Sequence, residues 1–167
     1  TVYDPFGRPL KIIEPGDSET YPTKQFEYRP YASANVLERV CVNIREESGT
    51  SAVLSSYAFF DGLNRKLQTR VESANTGEQV VMDCVDFNTR GEVAAQYAAY
   101  FESTSTEYVP HETTKPKVLF DYDSMGRKIK ETLPDGSFTA YAYGDWEVTV
   151  TTNDELLTNE QQVTRTF

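Results

Sequence analysis

A six-residue pattern recurs along this chain and narrows what it can fold into. Tyr122-Asp123-Ser124-Met125-Gly126-Arg127 is followed, twelve residues after its tyrosine, by Pro134-Asp135-Gly136. Tyr3-Asp4-Pro5-Phe6-Gly7-Arg8 has the same form, and Pro15-Gly16-Asp17 again begins twelve residues on. Two degenerate copies lie between. Phe60-Asp61-Gly62-Leu63-Asn64-Arg65 keeps the aromatic, the aspartate and the arginine, whereas Phe87-Asn88-Thr89-Arg90-Gly91-Glu92 keeps the aromatic and the glycine.

The pattern is the chemistry of a tight hairpin. Asp or Asn at the first turn position can accept a hydrogen bond from the backbone two residues on, and Pro5 suits the second position of a type I turn. The residue four places after the aromatic must turn left-handed to rejoin the ladder, as in a turn with a glycine bulge. Three copies have glycine there (Gly7, Gly91, Gly126) and the fourth has Asn64, the next most tolerant of positive φ. A positive φ is therefore predicted at Asn64.

With those residues in view, the chain resembles the YD-repeat (Rhs) family, whose repeat reads Tyr-Asp-x-x-Gly-Arg before a proline-glycine turn. Tyr122 to Gly136 matches nearly all of it and Tyr3 to Gly16 most of it. The wider pattern looks like the B-component class of bacterial insecticidal toxin complexes, on the stretches Phe59 to Glu72 and Asn88 to Val93. The likeness touches roughly two thirds of the chain once the joining strands are counted. Residues 18–57 and 102–117 carry little of it.

Composition agrees with strands. The 167 residues include 11 Tyr and 9 Phe but one Trp and two Met, and richness in Tyr, Thr and Val favours strands over helices. A chain of this length suits one domain. The 26 acids against 16 bases give a net charge of −10, which opposes binding to nucleic acid or to an anionic membrane. No stretch approaches a membrane span and no signal peptide is read. Thr1-Val2-Tyr3 begins inside a repeat, so the chain reads as a piece of something longer. Cys41 and Cys84 have no CxxC or histidine companion. Half-buried or buried thiols are the plainer reading, with a disulfide left open by spacing alone.

Taken in order, residues 2–14 read as a hairpin. Residues 19–30, with Pro22 and Pro30, read as an extended connection and edge strand. Leu37 to Arg45 alternates, with Val40, Val42 and Ile44 on one face and Arg39, Cys41, Asn43 and Arg45 on the other, and pairs with Ala52–Phe60. Lys66–Glu72 and Glu78–Phe87 follow as strands. Residues 92–101 fit a strand or a helix, and the repeat tips the choice to a strand through Tyr97. Glu102 to Lys117 is a loop rich in Ser, Thr, Pro and charge. Strands then run through Val118–Tyr122, Arg127–Leu133, Ser137–Tyr143 and Trp146–Thr151. A turn at Asn153-Asp154-Glu155 precedes a last strand at about 161–166. The expected fold is all-β: antiparallel hairpins of one curved sheet with turns near 3–8, 60–65, 87–92 and 122–127, in a single domain over 1–167.

No catalytic constellation emerges. His111, the one histidine, falls in the Ser/Thr/Pro loop, where an exposed bystander is the expectation. Glu46-Glu47, Asp121 with Asp123, and Asp154-Glu155 are carboxylate pairs expected of any acidic chain. Phosphate loops and zinc spacings are missing. A calcium site at Asp121-Tyr122-Asp123 competes with the turn that claims Asp123. Tyr3, Phe60, Phe87 and Tyr122 are expected to pack the wall, and Arg8, Arg65 and Arg127 to pair with acids or tyrosines. Some Rhs proteins cleave themselves at an Asp-Pro-x-Gly site. Asp4-Pro5-Phe6-Gly7 has that form, but no second copy follows, so the activity is not carried over. No enzyme activity, cofactor or metal is expected.

The family resemblance implies a hollow β-shell enclosing a C-terminal toxic polypeptide. This chain would be one arc of its wall, with an unusually polar inner face and Pro134 and Gly136 closing the second turn. The implied partners are the remainder of the shell, the enclosed toxin and other toxin-complex subunits, with a secreted or bacterial cell-surface location. The competing expectation is a surface adhesion or carbohydrate-binding module that stacks sugars on exposed Tyr and Trp146.

Overall fold

The computed structural model of the chain describes residues 1–33, 36–153 and 161–166, the last as backbone alone. In chain order the strands are β1 (Val2–Tyr3), β2 (Pro9–Ile12), β3 (Lys24–Arg29), β4 (Glu38–Arg45), β5 (Val53–Phe60), β6 (Lys66–Glu72), β7 (Glu78–Met82), β8 (Val85–Phe87), β9 (Val93–Tyr97), β10 (Tyr100–Ser103), β11 (Lys117–Tyr122), β12 (Lys128–Thr132), β13 (Phe138–Tyr143), β14 (Glu147–Asn153) and β15 (Gln161–Thr166). No helix occurs among the described residues, and the fold is all-β and antiparallel throughout. The expected turn at residues 153–155 runs into positions outside the described residues.

One sheet was predicted and two are found. The first orders its strands β1-β2-β3-β4-β5-β6-β7-β10, and the second β15-β14-β13-β12-β11-β9-β8. They belong to two compact units, Thr1–Cys84 with Ala99–His111, and Val85–Ala98 with Glu112–Phe167. The expected strand 78–87 is broken, and the break divides the sheets. At Asp83 the backbone takes a φ of 56°, a left-handed kink that Asp tolerates better than most residues. The kink is held by Lys66 Nζ and Thr69 Oγ1, at 2.6 and 3.0 Å from the Asp83 carboxylate. Beyond it β8 pairs with β9 and takes no place beside β6.

One further expectation changes, and the two faces of β4 acquire an inside and an outside. Residues 24–29 form an interior strand between β2 and β4 rather than an edge. Pro22 and Pro30 flank the strand instead of interrupting it, so no ladder donor is missing. The alternation of β4 is present, but its apolar side is the open one: Ile44 is 40% exposed and Cys41 is 3% exposed. The covered face of the first sheet joins Phe59 and Val81 to the wholly buried Gln68, Arg70 and Gln79. Alternation identifies two faces, but not which of them another segment will cover. Both cysteines are free and buried, and burial raises both thiol pKa values above the ordinary one.

In the second unit, Ala95 and Tyr97 of β9 are buried. The Tyr97 hydroxyl donates to Asp86 Oδ2 at 2.7 Å, so this ring is anchored at its polar end as well as packed.

Candidate functional site

The four repeat turns share one backbone pattern, and three of them share it atom for atom in their side chains as well. In the first, the Asp4 N–H donates to Arg8 O and the Gly7 N–H to Asp4 O, at 2.9 and 3.0 Å. Asp4 Oδ1 accepts from the Phe6 and Arg8 amides, both at 2.9 Å, and Oδ2 accepts from Arg8 Nε at 2.7 Å. Asp61 repeats this with Leu63 and Arg65, and Asp123 with Met125 and Arg127. The side chain at the first turn position therefore caps two backbone donors that the hairpin would otherwise leave in solvent, and it fastens the arginine that opens the next strand. At each copy the ladder shifts by one residue next to the aromatic, so that Tyr3, Phe60, Phe87 and Tyr122 face Pro9, Lys66, Val93 and Lys128. That shift is the bulge the left-handed residue creates.

The third copy keeps the device with its charges exchanged. Asn88 Oδ1 accepts from the Arg90 and Glu92 amides at 2.9 and 3.0 Å, and Asn88 Nδ2 donates to Glu92 Oε2 at 2.8 Å. A carboxamide in place of the carboxylate needs an acceptor where the others need a donor, and Glu92 stands where they have arginine. Arg90, at the position of Phe6, Leu63 and Met125, donates from Nη2 to Glu92 Oε1 at 3.0 Å and from Nη1 to Asp123 O at 2.7 Å, tying the third turn to the fourth.

Positive φ is found at all four predicted positions: 79° at Gly7, 59° at Asn64, 84° at Gly91 and 82° at Gly126. Asn64→Gly is accordingly expected to change stability by less than about 1 kcal/mol, since relief of strain is offset by a more flexible unfolded chain. Urea melts of the variant check this, and a loss above that bound would show that the Asn64 side chain is needed. The second turn repeats the backbone pattern. Leu133 N–H bonds Ser137 O at 2.8 Å and Gly136 N–H bonds Leu133 O at 3.0 Å, with Pro134 between them and Gly136 at φ 90°.

Sequence reasoning missed the partners that close these turns from outside. The Tyr28 hydroxyl donates to Pro9 O at 3.0 Å, Tyr122 to Val93 O at 2.9 Å and Tyr143 to Lys128 O at 2.8 Å. Each tyrosine lies at or next to the end of the neighbouring strand, and each carbonyl belongs to the residue after the one that clamps the turn. The Arg8 and Arg127 guanidinium carbons lie over the Tyr28 and Tyr143 rings, both at 4.3 Å from the centroid, where stacking adds to the ion pair. The arginines thus pair with both the acid of their own turn and a tyrosine of the next strand. Tyr3 departs from its expected packing role and is 59% exposed, because the two-residue β1 is an edge strand.

The turn hydrogen bonds also lower the pKa values of their carboxylates. The Arg127 amide, and after it the Arg127 guanidinium and the Met125 amide, outweigh desolvation and hold Asp123 below the ordinary 3.8. At Asp61 desolvation is the largest influence and pushes upward, but the Arg65 and Leu63 bonds together outweigh it. Asp4 and Asp135 are also lowered. A carboxyl depressed on folding stabilises above its unfolded value and loses that contribution as pH falls through the folded value. Stability should therefore be level near about pH 5 and decline below about pH 3.8. Urea midpoints across that range check the decline, and its absence in Asp123→Asn would assign that part to the clamp.

A second cluster lies in the first unit, under residues 104–111. Gln68 Nε2 donates to Val109 O at 3.1 Å, and Gln79 Oε1 accepts from the Ser105 amide at 2.9 Å. Arg70 donates to Glu102 Oε2, and its Nε to Gln68 Oε1 at 2.9 Å. Glu107 takes both Arg29 and Arg39. The expected loop is therefore a strap on the sheet, and His111 at its end is half-buried instead of exposed. The basic and amide residues at alternate strand positions were the available signal, but nothing in the sequence located their partner.

No family model and no curated protein matches the sequence. Solved structures match it by fold. A crystal structure of TcdB2-TccC3 aligns over 92% of this chain and 10% of that one, with a TM-score of 0.72 and 16% identity. This chain shares the fold of a segment of TcdB2-TccC3. A crystal structure of TcdB2-TccC3 without its hypervariable C-terminal region aligns over 73% of this chain and 7% of that one, with a TM-score of 0.60 and 16% identity. The Photorhabdus luminescens Tc holotoxin pore aligns over 75% and 7%, with 0.58 and 17%. This chain thus spans a tenth or less of the length of those proteins.

Proposed function

We propose that this chain is one arc of a YD-repeat β-shell in a bacterial toxin or toxin-complex protein, secreted or held at the bacterial surface. In this reading the shell encloses a C-terminal toxic polypeptide, and the chain contributes containment with no catalysis of its own. The observation that carries it is the fold shared across 92% of the chain with TcdB2-TccC3. The clamped turns suit that task physically. A wall of hairpins must close each turn with its own side chains and those of the adjoining strand, because the strands on either side are the only neighbours it has.

The reading is tested in the longer protein it requires. The polypeptide distal to the repeats should resist trypsin under native conditions and become sensitive when Gly126→Val loosens the wall. Equal digestion in both proteins overturns it. Purified chain should likewise hydrolyse no glycoside or ester substrate, and turnover abolished by one substitution would make it an enzyme.

The adhesion reading has one observation in its favour. Trp146 is 84% exposed at the tip between β13 and β14, over a shallow cleft lined with Gly144, Asp145, Glu147 and Val148. Among the described residues no second ring lines that cleft, whereas sugar platforms gain from several stacked aromatics. Binding on a glycan array that is lost in Trp146→Ala would favour this reading over the shell.

A further inference from the structure

The strap over the first sheet is held in the way a bound peptide is held. Three sheet side chains read its main chain: Gln79 takes the Ser105 amide, Gln68 reaches Val109 O, and Arg39 Nη1 donates to Thr106 O at 2.6 Å. One strap side chain is read by charge. Arg29 Nη1 lies 2.7 Å from each Glu107 carboxylate oxygen, and Arg39 Nη1 lies 3.2 Å from one of them. The next residue packs its ring, with Tyr108 set edge-on to Phe59 at 5.9 Å and 64°. A loop that merely capped a core would bring apolar cover, yet the floor here contains the wholly buried Gln68 and Gln79.

The floor also offers more donors than its occupant accepts. Gln79 Nε2 is buried without a hydrogen-bond partner, and so are Arg29 Nε and Arg39 Nε. Buried donors are ordinarily satisfied, so Gln79 Nε2, beside the oxygen that takes the Ser105 amide, leaves the floor able to donate a bond that residues 104–109 do not take up. Its chemistry is specific: amide side chains for an extended main chain, two guanidiniums for a carboxylate, and an aromatic wall for the residue beside it.

We propose that this face of the first sheet is a recognition groove for an extended acidic peptide carrying a glutamate followed by an aromatic residue. The chain's own segment 104–109 occupies the groove as a tethered competitor. The inference rests on the first unit alone and is independent of the shell reading. A tethered strap competes at a high effective concentration, so the groove is closed to weak ligands until the strap lets go.

The test uses a fluorescein-labelled peptide of the sequence 103–110, titrated into the full chain and into the full-chain double variant Glu107→Ala, Tyr108→Ala, which loosens the strap. Fluorescence anisotropy should show binding at least about tenfold tighter to the variant than to the parent. Changing the peptide's glutamate to glutamine should weaken that binding at least about tenfold, as should Arg39→Ala in the protein. Equal affinity for variant and parent, or indifference to the glutamate, overturns the proposal. Where circular dichroism shows the double variant unfolded, hydrogen exchange on the parent decides. Excess peptide should speed exchange of the Ser105 amide by displacing the strap, and an unchanged rate overturns the proposal.

Discussion

Replacing Arg70 with alanine is expected to cost about 3–5 kcal/mol. Arg70 is wholly buried on β6. Its guanidinium meets the Glu102 carboxylate, Gln68 Oε1 and, at 3.4 Å, the Ser103 carbonyl. Truncation leaves the wholly buried Gln68 Oε1 and the partly covered Glu102 carboxylate without this donor, and it opens a cavity beside Phe59 and Val81. The loss therefore comes from stranded partners more than from the ion pair itself, whose attraction is largely offset by desolvation. Arg70→Met should then recover much of the loss when combined with Glu102→Met, because that pair removes both charges and fills the space. Urea melts of the three proteins check this. An Arg70→Ala variant that melts within about 1 kcal/mol of the parent would mean that the guanidinium is not desolvated in solution.

Gly126→Val is expected to cost about 3 kcal/mol, and Gly7→Val only about 1–2 kcal/mol. Both glycines hold a left-handed backbone, with φ of 82° and 79°, so a β-branched residue is strained at either. They differ in surroundings. A Cβ on Gly126 would lie 2.9 Å from Glu92 Oε1 and 3.4 Å from Arg90 Nη2, whereas one on Gly7 meets nothing within 4 Å. Glu92 cannot simply swing away, because Asn88 and Arg90 both hold its carboxylate. The new side chain must therefore displace Glu92 Oε1 from its Arg90 contact as well as strain the fourth turn. Thermal melts of each variant, read on the transition of its own unit, decide the matter. Equal losses at the two glycines would show that the third and fourth turns do not lean on one another.

The turns were legible in the residues because every bond that makes them lies within five positions. Asp4, Asp61, Asn88 and Asp123 reach their donors two and four residues on, so local chemistry alone specifies the geometry. The positive φ of Asn64 followed for the same reason. Asp83 was missed because its left-handed conformation, 56°, is held by Lys66 and Thr69 on another strand. The tyrosines over the turns were missed too. Tyr28 follows its turn aspartate by 24 positions, as does Tyr143 by 20, and Tyr122 follows Asn88 by 34, so no period connects them.

The sequence by itself determined that this chain is an antiparallel all-β succession of hairpins, where its turns fall and which residues must turn left-handed. Those are short-range matters of steric permission and of donors satisfied by the next few residues. Tertiary structure decided how strands were shared between two sheets, because a ladder edge accepts any strand of compatible register: β10 went to β7 and β11 to β9. It also decided which face of β4 would be covered. Alternation places Arg39 and Val40 on opposite sides, but the strap that buries the arginine side comes from Thr106, 67 positions away. Only folding brings that segment within hydrogen-bonding distance and makes the polar face the inside.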